Sequence, residues 1–193
     1  DAIATANQNN RAAGTSGYAE SVDYVRESLE SWGYEVSLQG FTIDIYDIGE
    51  DPILETVDNA GWVYGEDYGI IHYSAGADVT AAMIAIDVQL SPPGDANSTN
   101  SGCQPNDFAD FTEGSIALIQ RGSCTFEEKS LNAQNAGAVA VVIFNEGQEG
   151  REDLFDGALN ENNNIEIPVL SASYAVGLSL VNGSENPENT LHL

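Results

Sequence analysis

Two apolar runs and the segment between them decide the fold: the chain reads GSIALIQRGSCTF over residues 114–126 and AGAVAVVIFN over residues 136–145. The runs Ile116–Ile119 and Val139–Phe144 have no polar face, which is typical of strands buried on both sides of a parallel sheet. Between them, Thr125 and Glu128 form a capping-box pattern and Gly137 supplies a C-terminal stop, so we predict a helix. Strand, helix and strand in this order predict an α/β protein.

The same rhythm continues on both sides of this unit. Downstream, the run Ile167–Leu170 predicts a further strand, and Ser173 caps a helix that Asn182-Gly183 ends. Upstream, short strand-like runs alternate with acidic and glycine-rich turns before the loop Ser91–Cys103. The predicted strands lie at residues 61–63, 69–73, 82–88, 116–119, 139–144 and 167–170, and the predicted helices at residues 125–136 and 173–181.

A further helix is predicted near the beginning of the chain, outside this rhythm, over residues 15–33. Its apolar residues recur at spacings of four and three, which places them on one stripe. We expect that stripe to pack on a domain outside this chain or on a second copy. An extended arm follows the helix. The stripe consists of Tyr18, Val22, Val25, Leu29 and Trp32, and the arm carries Val36, Leu38, Phe41, Ile43 and Ile45.

Composition restricts the classes of function. The 193 residues include 31 acidic side chains against five lysines and arginines, for a formal net charge of −26. A phosphate backbone needs a clustered basic surface, so nucleic acid is excluded as a partner. No stretch approaches the roughly 18 to 20 apolar residues of a membrane helix, so we predict no membrane association. The acidic surface fits a secreted protein or a salty habitat.

The two cysteines, Cys103 and Cys124, both stand beside turn-forming residues. In an exported protein an even pair of this kind predicts one disulfide. Two other interpretations stay open. The cysteines could be free thiols of a cytosolic protein, or Cys124 could be a nucleophile whose pKa is lowered by the following helix and by Arg121.

Candidates for catalysis and metal binding are weak. The sequence contains no Gly-x-Ser-x-Gly elbow, no His-Glu-x-x-His pair and no phosphate-binding glycine loop. We interpret His72 as an ordinary strand histidine rather than a member of a Ser-His-Asp triad, and His192 as a residue near a domain boundary rather than a ligand. The loop from Asp95 lacks the glycine and glutamate of a calcium-binding EF-hand. Asn97 begins a glycosylation sequon in form.

The stretch 114–145, together with Ile167-Pro168-Val169-Leu170-Ser171, resembles the signature of the protease-associated (PA) domain. The resemblance implies a layered β/β/α fold, with a parallel sheet, an antiparallel sheet and flanking helices, plus the N-terminal helix and strand arm. It also implies mostly structural roles for the signature residues and a Cys103–Cys124 bridge that pins the turn after the first buried strand. The signature residues are Arg121, Gly122, Phe126, Lys129, Asn132, Ala133, Gly137 and Ala138.

A second resemblance lies upstream, where residues 10–18 read NRAAGTSGY. This segment is similar to the opening of secreted zinc aminopeptidases that carry a PA insertion. The resemblance implies residues 1–47 as the start of a peptidase domain, residues 48–183 as the PA domain, and residues 184–193 as a return segment. The metal ligands of that family follow the insertion, so none is mapped onto this sequence.

These resemblances imply a non-catalytic PA domain of a secreted zinc aminopeptidase. Its implied role is a lid or docking surface that affects access of peptide or protein substrates, with the peptidase domain of the same polypeptide as its partner. No cofactor is expected in this chain, and zinc is expected in the parent peptidase domain. The alternative is a stand-alone secreted module that binds peptides or proteins. A complete hydrolase within 193 residues ranks last, because the sequence lacks a catalytic constellation.

Overall fold

The computed structural model describes residues 1–42, 49–56, 61–91, 95–186 and 189–193. The chain divides into two compact units, residues 1–45 and residues 46–193. Each unit is described separately.

The larger unit is built on one curved, mixed sheet of eight strands in the order β1-β8-β3-β4-β5-β7-β2-β6. Its centre, β3-β4-β5-β7, is parallel. Strands β2 and β8 run antiparallel to their central neighbours β7 and β3, β1 is antiparallel to β8, and β6 is parallel to β2. The strands are β1 (Glu55–Thr56), β2 (Tyr68–His72), β3 (Thr80–Ile86), β4 (Ile116–Gln120), β5 (Ala140–Phe144), β6 (Gly157–Ala158), β7 (Val169–Ala172) and β8 (Thr190–His192).

Two hydrophobic clusters cover the two faces of this sheet, because successive strand residues point to opposite sides. On one face Leu118 and Val142 pack with Leu180 of a helix. On the other face Ile119 and Ile143 pack with residues of a different helix. Every residue of β4 and β5 is buried, as the unbroken apolar runs predict.

Two capped helices supply these covers. Helix α3 (Phe126–Asn135) begins after Thr125, whose side chain accepts a hydrogen bond from the Glu128 amide at 3.1 Å. Helix α4 (Tyr174–Ser184) begins after Ser173, whose hydroxyl accepts one from the Val176 amide at 3.3 Å. These caps satisfy amides that a helix start leaves without partners. A short 3-10 helix, Pro105–Phe108, precedes β4.

The smaller unit contains helices α1 (Ala2–Ala6) and α2 (Ser16–Ser31). Asn7 joins them, since its side chain contacts the Ser16 hydroxyl at 2.6 Å and the Glu20 carboxylate at 3.0 Å. Of the residues of α2 only Gly17 is buried. The predicted stripe is largely open, with Val25 54% and Trp32 73% exposed.

The structure confirms the predicted α/β class and shows how its parts combine. Parallel and antiparallel strands share one sheet instead of forming two, because β7 pairs with β2 and β3 pairs with β8. The strand predicted at residues 61–63 is wrong. Those residues are irregular and lead into an isolated bridge at Tyr64 and a turn over residues 65–67, where the Val63 carbonyl accepts from the amides of Glu66 and Asp67.

The predicted strand arm is partly outside the described residues. No strand is present between Tyr34 and Thr42, because an extended segment becomes a strand only by pairing and no described residue pairs with it. Ile43 and Ile45 fall outside the described ranges. The short elements α1, β1, β6 and β8 were not expected from the sequence. The domain limits 1–47, 48–183 and 184–193 stay a prediction.

Candidate functional site

Polar side chains gather where the central parallel strands end. Six of them are buried and form what we call the buried polar cluster: Thr99, Ser101, Gln120, Lys129, Asn145 and Glu146. Gln120 is the last residue of β4, and Asn145 and Glu146 directly follow β5. In open α/β sheets, the carboxyl ends of parallel strands are the usual location of functional groups.

Gln120 and Ser101 tie the loop before β4 to the sheet. The side-chain oxygen of Gln120 accepts a hydrogen bond from the Gln89 backbone amide at 2.8 Å. Its side-chain nitrogen donates to the backbone carbonyls of Gln89 at 3.0 Å and Glu146 at 3.2 Å. The Ser101 hydroxyl donates to the Ile86 carbonyl and accepts from the Gln120 amide at 2.9 Å. These buried polar groups therefore have partners, as low-dielectric interiors require.

Glu146 is the fully buried carboxylate of the cluster. It accepts hydrogen bonds from the Asn97 amide at 2.9 Å, from the Gln148 side chain at 3.3 Å and from Arg151 at 3.4 Å. Arg121 and Lys129 also interact with it electrostatically. Three of the five cationic side chains in this acidic chain are thus gathered around one internal carboxylate. A buried charge needs such compensation.

Lys129 is buried in the same cluster although it lies on α3. Its Nζ donates to the Ser101 carbonyl and lies 3.7 Å from Cys103 Sγ. Burial lowers the pKa of Lys129 to about 8, and the carboxylates of Glu146, Asp107 and Glu128 oppose that effect. The pKa falls because burial disfavours the charged form more strongly than these carboxylates favour it.

Arg121 and Gly122 turn the chain out of β4. The Arg121 guanidinium lies 4.6 Å from the centre of the Phe155 ring, a cation–π geometry, and 3.5 Å from the Asn145 side chain. Burial also lowers the Arg121 pKa from its usual value. Phe155 stacks in turn on Phe126 at 5.3 Å. A Cβ at Gly122 would lie 2.1 Å from the Thr99 carbonyl oxygen, so only glycine fits there.

The other signature residues lie along α3 and just after it. The Asn132 side chain donates to the Gly102 carbonyl at 3.1 Å, and Ala133 and Ala138 are buried against the sheet. Gly137 has φ +87° and lies close to Glu113, where a Cβ would clash. The predicted disulfide is formed, with Cα atoms of Cys103 and Cys124 5.8 Å apart. The roles of the signature residues stay predictions.

The histidines lie apart from this cluster. His72 ends β2, and its carbonyl accepts from the Leu159 amide at 2.9 Å. His192 bridges two carboxylates, with Nδ1 3.1 Å from Glu55 and Nε2 3.1 Å from Asp78. Both contacts raise the pKa of His192, the Glu55 hydrogen bond most.

His192 also borders a cleft of about 480 Å³. Apolar residues such as Ile53 and Leu170 line the cleft together with the acidic residues Glu50, Asp51 and Asp78. Within the described ranges, no three or more histidine, cysteine, aspartate or glutamate side chains are arranged to hold a metal ion. None of the described helices is long and apolar enough to cross a membrane.

Sequence reasoning found Lys129 and the cysteines but missed Gln120, Asn145, Glu146 and Ser101. A usable signal was present for three of them. Gln120 and Asn145-Glu146 directly follow the two buried runs, and the carboxyl ends of neighbouring parallel strands meet at one edge. Ser101 reaches this edge through a long loop, which no local pattern indicates.

This fold and its signature turn define a class of protein. The model of the PA domain family matches residues 79–180, more than half of the chain. The chain belongs to the PA domain family.

Its relatives include several aminopeptidases. The chain is 41% identical over 194 residues to an aminopeptidase of Pseudomonas aeruginosa strain UCBPP-PA14, a match that covers 99% of this chain and 35% of that protein. It thus spans about a third of the length of that relative. An aminopeptidase from Aneurinibacillus sp. strain AM-1 superimposes with a TM-score of 0.72 at 25% identity, over 98% of this chain and 41% of that chain. A zinc aminopeptidase from Bacillus subtilis gives 0.62 at 25% identity and the same coverage.

Proposed function

We propose that this chain is the non-catalytic PA part of a secreted zinc aminopeptidase, where it acts as a lid or docking surface that controls access of peptides to the active site. The observation that carries the proposal is the open apolar stripe of α2 in a chain that spans only 35% of its aminopeptidase relative. The rest of such a polypeptide is the partner that this stripe would contact.

The stripe has the character of an interface. Val25 is 54% and Trp32 73% exposed, and Tyr24, Tyr34 and Phe41 add exposed aromatic rings beside the stripe in the same unit. Exposed apolar patches of this kind mark surfaces that bind another protein part. Aromatic side chains are enriched at such interfaces because they combine large apolar area with low conformational entropy.

The buried polar cluster supports a structural rather than a chemical role for the larger unit. Its side chains are committed to the backbone of loops 95–103 and 145–151 and to one another. We therefore assign the catalytic groups and the zinc to the part of the polypeptide outside this chain. The disulfide supports secretion, since such bonds form and persist mainly in oxidising compartments.

The first test is the intact mass and zinc content of the native protein, captured with an antibody raised against this chain. We expect a zinc-bearing polypeptide much larger than the 20.5 kDa of the chain. A metal-free species of about that mass would reject the accessory-domain proposal. It would favour a stand-alone module that binds peptides or proteins, with the cleft beside His192 as the place to look for the ligand.

The second test addresses the lid. In the native aminopeptidase, residues 55–192 are replaced by a short Gly/Ser linker, because Glu55 and His192 are paired across β1 and β8 and lie side by side. We expect kcat/KM for an aminoacyl nitroanilide to stay within about tenfold of the parent enzyme, while kcat/KM for a ten-residue peptide changes by more than that. Equal changes for both substrates, at unchanged zinc content, would contradict a role in access.

A further inference from the structure

The disulfide joins two cysteines in unequal surroundings. Cys103 is buried, whereas Cys124 is only partly buried and precedes the N-cap residue of α3. A thiol from solvent therefore reaches Cys124 more readily than Cys103. Access is one of the factors that decide which sulfur of a disulfide is attacked.

The buried ammonium of Lys129 lies on the Cys103 side. Its Nζ has two acceptors among the described residues, the Ser101 carbonyl and Cys103 Sγ at 3.7 Å. An ammonium offers three donors, and neither of these two acceptors carries a full negative charge. The carboxylates of Glu146, Asp107 and Glu128 act on Nζ electrostatically, from beyond hydrogen-bond distance among the described residues. A thiolate at Cys103 would supply a close counter-charge.

We propose that Cys103–Cys124 is a reversible thiol-exchange site, in which a low-molecular-weight thiol attacks Cys124 and Lys129 stabilises the Cys103 thiolate that leaves. In the first step the external thiolate forms a bond to Cys124 Sγ, the S–S bond breaks, and its electron pair goes to Cys103 Sγ. A second thiolate then attacks the external sulfur and releases Cys124. The sum is two external thiols oxidised to their disulfide and one protein disulfide reduced to two thiols.

Other contacts hold the joined segments together, so exchange does not require unfolding. The Ser123 amide donates to the Thr99 carbonyl at 2.8 Å, and the Asn132 side chain donates to the Gly102 carbonyl at 3.1 Å. Ser101 remains bonded to Ile86 and Gln120. These hydrogen bonds hold the loop in place without the disulfide, so a modification at Cys124 leaves the sheet intact.

The energetics favour attack on Cys124 with Cys103 as the leaving thiolate. A neighbouring lysine lowers a thiol pKa, and a leaving thiol of lower pKa leaves faster. Reduction also places a thiolate at Cys103 next to the buried ammonium of Lys129, which then has a close partner of opposite charge. The lowered pKa of Lys129, about 8, reflects its burial in the oxidised protein, and a thiolate at Cys103 would act against that shift.

The first experiment equilibrates the full 193-residue chain with glutathione redox buffers, for wild type, Lys129→Met and the control Ser130→Ala. Ser130 is equally buried on α3 and its hydroxyl only bonds back to the Phe126 carbonyl. We expect the mixed disulfide on Cys124 by peptide mass spectrometry, and a reduction equilibrium constant at least tenfold lower in Lys129→Met, which is about 30 mV. A mixed disulfide on Cys103, or equal constants in wild type and Lys129→Met, overturns the proposal.

The second experiment keeps Lys129 and is independent of how Lys129→Met folds. Cys124→Ser leaves one thiol at Cys103, and Cys103→Ser leaves one at Cys124 as the matched control. Thiolate absorbance near 240 nm is followed against pH in both. We expect the Cys103 thiol to titrate below the roughly 8.5 of free cysteine despite its burial. Titration of Cys103 above that value overturns the proposal.

Discussion

Helices α2 and α3 have similar local signals and opposite surroundings. Both begin after a threonine that accepts a backbone hydrogen bond, Thr15 from Tyr18 and Thr125 from Glu128. Helix α3 buries Lys129, Ser130 and Ala133, whereas α2 buries one glycine. Caps and periodicity therefore identify a helix but not what covers it. For α3 the cover is the sheet of the same unit, whereas the apolar stripe of α2 stays largely exposed within the smaller unit.

The strongest test of this contrast truncates one leucine in each region. Leu118 of β4 is fully buried and Leu38 of the smaller unit is 59% exposed. We expect Leu118→Ala to lower the free energy of unfolding by about 3 kcal/mol, because it removes buried methyl groups and leaves a cavity. Leu38→Ala should change it by less than about 0.5 kcal/mol. Urea denaturation followed by circular dichroism measures both, and a comparable loss for Leu38→Ala would show that its face is covered in solution.

A second test separates close packing from helix propensity within α4. A Cβ at Gly177 would lie 2.2 Å from the Phe144 ring, whereas at Gly183 the nearest atom is 3.7 Å away. We expect Gly177→Ala to cost about 2 kcal/mol through overpacking and Gly183→Ala to stabilise by up to about 1 kcal/mol, since alanine is the better helix former. If both variants gained stability, the contact between α4 and β5 would be looser than the structure has it.

The third test compares the two threonine caps. Removing an N-cap side chain costs about 1 kcal/mol when the helix belongs to the cooperative unit. Thr125→Ala should therefore lower the main melting temperature by roughly 2 to 4 °C. Thr15→Ala should leave that transition unchanged. Scanning calorimetry of both variants decides the point, and equal shifts would mean that α2 unfolds together with the sheet.

The smallest expected effect depends on pH. Glu55 and Asp78 raise the pKa of His192, so the contribution of His192 to stability is full below about 6.5, the usual histidine value, and is lost as the pH rises through the folded-state value. Wild type should melt above His192→Gln at pH 5.5, and the two should converge near pH 9. The difference should disappear when Glu55→Gln and Asp78→Asn are present in both. A difference in melting temperature between wild type and His192→Gln that grows with pH would contradict this prediction.

Much of the sheet was predictable because its centre is buried on both faces. Runs such as Ile116–Ile119 must be strands of a covered sheet, and Thr125 with Gly137 limits the helix between them. The predicted helix at residues 125–136 and α3 agree within one residue at each end. The prediction of a strand at Gly61–Val63 was wrong because a short apolar run fits an irregular segment as well as a strand, and only pairing decides between them.

The buried polar cluster was harder to predict because distant segments build it. Glu146 is held by the Asn97 amide, 49 residues away, and Lys129 by the Ser101 carbonyl, 28 residues away. A lysine on a predicted helix is usually solvated, and nothing in its own neighbourhood shows that this one is enclosed. The resemblance to the PA signature singled out Lys129 without explaining it. The structure provides the explanation, in the loop carbonyl and sulfur that surround its ammonium.

The pairing of β1 with β8 affects how such a domain can be inserted into another protein. Glu55 and His192 are directly opposite each other on antiparallel strands, so the path into the sheet and the path out of it lie about 5 Å apart. A host protein can accommodate such a unit within a single surface loop, because the cut ends of that loop need not be separated. Gain or loss of the unit by recombination would then leave the host core undisturbed. The β1–β8 pair would likewise be a suitable place to join the unit to another protein by engineering.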